Sequence, residues 1–159
     1  MSKINYYPRF ALLLLFISSL LSWGCQDREK REPANDLVGT WELLSETKIE
    51  KGDTVFTPAA GNQRMLKIIN PTHFSFIRHD LKAGKDSFAL FVAGAGPYTL
   101  TGNIYKEQLE FCSAREWENH DFEFTVEVKG DTLIQQGVEK VEGTDINRFI
   151  IEQYKKVRK

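Results

Sequence analysis

The sequence predicts an all-β fold, an antiparallel up-and-down barrel of about eight to ten strands with one short helix, on three grounds. Apolar and polar residues alternate with a period of two through most of the chain after residue 37. Clusters of turn formers separate the alternating runs. Only one short segment carries helix signals. Pairing each strand with its sequence neighbour costs the least loop entropy, and closing the meander removes the exposed edges that invite aggregation.

The chain has 159 residues, 42% hydrophobic and 27% charged, with a formal charge of −1. That balance suits one modest globular domain and excludes a disordered, collagen-like or polytopic membrane chain. Residues 1–24 read as a secretory signal. Lys3 and Arg9 precede an apolar run over 10–21, which is shorter than the roughly 20 residues a membrane-spanning helix needs. The run ends in Leu21, Ser22, Trp23, Gly24 and Cys25, which resemble the lipobox of bacterial lipoproteins; Trp23 departs from the small residue usual at its position. The resemblance implies cleavage before Cys25 and attachment of a diacylglycerol to its thiol, with a conventional signal peptide and an ordinary Cys25 thiol as the other reading. Residues 26–36 are charged, contain Pro33 and lack a large apolar side chain, so 25–36 are expected to be a lipidated Cys and solvated tether. The barrel is then expected over 37–159.

Within it, strands are expected over 40–49, 65–69, 73–78, 87–92, 98–101, 105–111, 121–128, 132–136 and 147–154. The clearest is 121–128, where Phe122, Phe124, Val126 and Val128 alternate with Asp121, Glu123, Thr125 and Glu127. In 73–78, Phe74 and Phe76 share a face with Arg78; in 105–111, Tyr105, Glu107, Leu109 and Phe111 do so. Lys51 to Asp53, Asn70 and Pro71, Gly94 to Pro97, Gly102 and Asn103, and Lys129 to Asp131 are the expected separators, with Gly94, Gly96 and Gly102 meeting a need for positive φ or close backbone approach. The expected helix covers 113–120, with Ser113 as N-cap and Glu116 at capping-box spacing, and Trp117 either packing on a barrel rim or docking as part of a surface turn.

Chemistry-bearing motifs are scarce. Removing residues 1–24 takes the net charge from −1 to −3, which gives no field for nucleic acid. Lipidation would leave Cys112 as the one thiol, with no nucleophile motif around it. His73, His79 and His120 lack metal-ligand spacing, no phosphate-binding glycine motif opens a helix, and no hydrolase or kinase motif is present. The expectation is therefore a non-enzymatic protein without metal or cofactor.

Leu37 to Trp41, with its Gly39-Thr40-Trp41, looks like the Gly-x-Trp that opens the first strand of lipocalins and related calycins. Together with Lys67 to Phe76, Gly94 to Tyr105, Phe122 to Phe124 and Gly130 to Leu133, it is similar to a family of secreted lipocalin-like domains, many of them lipoproteins of Gram-negative bacteria, whose biochemical role is not established. The resemblance covers most of residues 37–157. It implies a barrel closed at one end by Trp41, with Arg148, Lys156 or Arg158 laid over the indole. Its candidate ligand-lining residues, read from strand faces, are Phe74, Phe76, Arg78, Tyr105, Glu107, Phe111, Phe122 and Phe124. The functional expectation is an envelope lipoprotein, at the outer membrane, that binds a small hydrophobic or amphipathic ligand. A filled barrel acting as a structural or protein-interaction module at the cell surface is the alternative.

Overall fold

The computed structural model describes residues 36–58, 61–85, 87 and 89–158. The expected signal, Cys25 and all of the expected tether except Asp36 lie outside them. Ten strands follow in chain order: β1 (Gly39–Glu50), β2 (Asp53–Pro58), β3 (Gln63–Ile69), β4 (His73–Asp80), β5 (Phe91–Thr101), β6 (Ile104–Leu109), β7 (Phe111–Cys112), β8 (His120–Lys129), β9 (Thr132–Lys140) and β10 (Asn147–Lys156). All pair antiparallel. Eight of them close a barrel in the order β1, β3, β4, β5, β6, β8, β9, β10, with β10 returning to β1 from Trp41 opposite Lys156 to Ile49 opposite Phe149. The two extra strands lie off this ring: β2 folds back on Ser45–Glu50 of β1, and β7 pairs with Gly94 and Ala95 of β5.

Two one-residue irregularities decide which side chains face inward. In β1 the register against β10 slips between Leu43 and Ser45. An inserted residue reverses the side-chain parity of everything beyond it. Trp41 and Leu43 therefore point inward before the bulge, Leu44 points out, and Glu46 is buried after it. The second lies between β6 and β7, at Glu110, where Leu109 faces in but Phe111 faces out and is 60% exposed. This corrects the expectation of one continuous strand over 105–111.

The Gly94 to Pro97 segment is also not a turn but the middle of β5. Its glycines serve close approach instead. A Cβ on Gly96 would overlap the Gln108 carbonyl and crowd the Glu110 amide, so the β6–β7 kink sits directly on that bare backbone. Residues 87, 89 and 90 are not in a strand, and β5 starts at Phe91. The expected helix over 113–120 is reduced to one 3-10 turn, Arg115–Trp117, with Ala114 rather than Ser113 before it. The Ser113 hydroxyl is used elsewhere, accepting a hydrogen bond from the Ala93 amide at 3.0 Å. A side chain bound to the neighbouring strand cannot cap a longer helix.

One end of the barrel is packed solid. Leu37, Trp41, Ile69, Phe74, Tyr105, Leu133 and Tyr154 are buried there. The Trp41 indole Nε1 donates to the Leu37 carbonyl at 2.8 Å. Lys156 Nζ lies 5.0 Å from the centre of the Trp41 ring, an arrangement worth roughly 0.5–2 kcal/mol. Arg148 instead lies over Trp117, and Arg158 pairs with Asp131.

Candidate functional site

Above this floor the barrel holds a cavity of about 460 Å³, a volume within the range of small-molecule sites. It extends toward the end that carries the 3-10 turn, since Lys48, Gln63, Leu90, Ala114, Trp117 and Arg148 also line it. Its wall has two unlike halves.

The apolar half comes from β4, β5, β6, β7 and β8: Phe76, Val92, Leu109, Cys112, Phe122 and Phe124. The Phe122 and Phe124 rings lie 6.4 Å apart, and Trp117 packs on Phe122 at 5.6 Å. Gly94 makes room here, since a Cβ would come within 2.6 Å of the Phe76 ring. The Cys112 thiol is buried, and burial, with Glu118 and Glu116 adding to it, pushes its pKa up. A thiol held protonated in this way is a small hydrophobe rather than a nucleophile.

The charged half is contributed chiefly by β1, β3, β9 and β10. Lys67 is the deepest cation, 2% exposed, paired with Glu107 and donating to Gln135 Oε1 at 2.6 Å. Its ammonium lies 5.4–6.0 Å from the ring centres of Tyr105, Phe74 and Tyr154. Higher up, Glu46 pairs with both Lys48 and Arg78, the latter at 2.9 Å, while Arg78 Nε donates to Gln63 at 3.0 Å. Arg148 pairs with Glu139 at 2.6 Å. The fourth carboxyl differs. Glu152 is 8% exposed, its Oε2 accepts the Tyr154 hydroxyl at 2.7 Å, and no cation lies within ion-pair distance among the described residues.

These surroundings separate the acids. Burial raises the Glu152 pKa to about 7, helped by the charges of Glu139 and Glu46 and opposed by Lys67 and the Tyr154 hydroxyl. Burial also raises Glu139, even though Arg148 opposes it. For Glu46 burial acts in the same direction, but the hydrogen bonds and charges of Lys48 and Arg78 prevail and its pKa is lowered. Burial and the neighbouring Glu107 push the Tyr105 hydroxyl upward.

Of the residues picked out from the sequence, the fold brings Phe76, Arg78, Glu107, Phe122 and Phe124 onto the cavity wall. Phe74 and Tyr105 lie in the packed floor, Phe111 is on the outer face, Trp41 closes the floor, and Cys25 is outside the described residues. Sequence reasoning missed Glu46, Lys48, Lys67, Gln135, Glu139 and Glu152 as wall residues. One was within reach, since Lys67 alternates in phase with Met65 and Ile69.

No family model matches the chain, and no curated protein matches it. The solved structures similar to it include the following two. One is an uncharacterised protein from Bacteroides eggerthii DSM 20697, 13% identical, with 76% of this chain and 98% of that chain covered at a TM-score of 0.44. The other is Rv2717c from M. tuberculosis, 11% identical, with 80% and 99% covered at a TM-score of 0.37. The fold itself defines a closed eight-stranded antiparallel barrel carrying two additional strands.

Proposed function

We propose that the chain is a lipid-anchored envelope lipoprotein of lipocalin-like type whose barrel takes up a small amphipathic molecule without catalysis. The observation that carries this reading is the divided cavity: rings and aliphatic chains on one wall supply apolar area, and ionised groups on the other fix orientation. The lipobox-like Gly24 and Cys25 support the lipid anchor. Lys48, Lys67, Arg78 and Arg148 are each paired with a carboxylate, which supports a wall that orients a ligand.

The test is uptake of the neutral fluorophore N-phenyl-1-naphthylamine by the purified full chain. Enhanced emission that is titratable to one site, and lost when Val92→Trp fills the apolar wall of a still-folded barrel, is the expected outcome. Absence of uptake by the wild type refutes the reading. A second reading, a surface that binds another protein, is favoured by Ile68, Ile77, Phe91 and Phe111, apolar and exposed on the outside of β3, β4, β5 and β7. That reading predicts no uptake, and loss of partner binding when these outward residues are changed.

A further inference from the structure

We propose that the occupant of the cavity carries a cationic amine seated against Glu152, so that the site takes amphipathic amines in preference to fatty acids; this rests on the ligand-binding reading above. The argument is one of charge matching. Among the described residues, each of the four cations on the wall already has a carboxylate at ion-pair distance, and Glu46 has two cations. Nothing in that half calls for an anion.

Glu152 is the group left over. It is more than nine-tenths buried, lines the cavity, and has one oxygen on the Tyr154 hydroxyl and the other with no donor among the described residues. The Lys67 ammonium acts on it through space but is bound to Glu107 and Gln135. Glu46 stands directly opposite Glu152 across β1 and β10, with both side chains inward. Like charges so placed repel, and a positive group between them relieves the repulsion. Among the described residues no cluster of three or more His, Cys, Asp or Glu side chains could hold a metal ion, so an organic cation is the fitting partner. Its hydrocarbon part would run along Phe76, Leu109, Phe122 and Phe124.

The groups that act on the Glu152 charge come from several strands: Lys67 on β3, Glu46 on β1, Glu139 on β9 and Tyr154 on β10. Burial holds Glu152 protonated into the neutral range, whereas an alkylamine stays charged to about pH 10. Amine selectivity therefore rises with pH as Glu152 ionises.

The experiment displaces N-phenyl-1-naphthylamine from the full chain with decylamine, decanol and decanoic acid, which share one hydrocarbon chain. At pH 8 decylamine is expected to compete at least tenfold more strongly than decanol, with decanoic acid weakest. In Glu152→Gln the amine-to-alcohol ratio is expected to fall to near one. For the wild type, the ratio should rise about tenfold from pH 6 to pH 8, which keeps the proposal open to refutation should the variant not fold. Decanoic acid competing as well as decylamine, or a ratio indifferent both to pH and to Glu152→Gln, overturns the amine assignment and leaves ligand binding standing. Failure of the fluorophore to bind overturns the reading beneath it.

Discussion

Replacing Glu152 by Gln isolates the energetic consequence of burying an acid without a cation. Folded, the carboxyl titrates at about 7; unfolded, it returns to its ordinary value of 4.5. The folded state thus holds this proton more tightly. The stability that comes with the protonated form is fully present below pH 4.5 and is lost as pH rises through about 7. Each pH unit between the two values is worth 1.36 kcal/mol, so between pH 5 and pH 8.5 the wild type should lose about 2.5 kcal/mol through this residue alone. Gln keeps the shape and can still accept the Tyr154 hydroxyl, but it does not titrate. Glu139 contributes in the same direction and Glu46 in the opposite one, and both remain in the variant. The difference between the two proteins therefore reports Glu152. Urea denaturation at pH 5 and pH 8.5 should show the variant gaining about 2.5 kcal/mol on the wild type across that interval. Stability profiles that run parallel from pH 5 to pH 8.5 would refute the assignment of a buried, uncompensated acid at this position.

Two further predictions concern the frame of the site. Lys67→Met strands the Glu107 carboxylate in the interior and should cost about 3–5 kcal/mol by urea denaturation, while Lys67→Met with Glu107→Met should recover most of that loss. Gly96→Ala places a methyl against the Gln108 carbonyl and should cost at least about 2 kcal/mol; an unchanged thermal midpoint would show that the β6–β7 kink is not seated there.

The legible part of this protein is the part whose alternation is uninterrupted. In β8, Phe122, Phe124 and Val126 are buried while Asp121, Glu123 and Glu127 are not, because one face meets the core and the other water. Phe111 was misplaced for a physical reason. The extra residue at Glu110 is tolerated because Gly96 offers bare backbone opposite it, and that complementarity spans strands, so neither segment discloses it alone. The bulge at Leu44 hides Glu46 and Lys48 in the same way, since unbroken counting from Trp41 puts both outside. In β10 the two faces are almost equally apolar: Phe149 and Ile151 on one, Ile150 and Tyr154 on the other. Composition cannot rank such faces, and Arg148 and Glu152 are assigned inward only once β9 and β1 are in place. β2 escapes notice because it packs on no core, and every one of its residues is exposed.

The charged half-wall is also difficult to explain as scaffolding. A barrel of this size can be filled by side chains, and Phe74, Tyr105, Leu133 and Tyr154 do fill its lower end. Continuing that packing upward would satisfy stability more simply, since replacing a buried ion pair with well-packed apolar residues is often neutral or favourable by ~1–4 kcal/mol. Instead, Lys67 with Glu107, Arg78 with Glu46, and Arg148 with Glu139 are arranged around an open volume, and each ion pair reaches the same cavity that the phenylalanines face. Ion pairs that merely stitched strands together could sit on the outer face, as Lys106 with Asp121 does. Inside, their net contribution to folding is small and their capacity to orient a polar head is large, and that placement supports the ligand-binding reading proposed above.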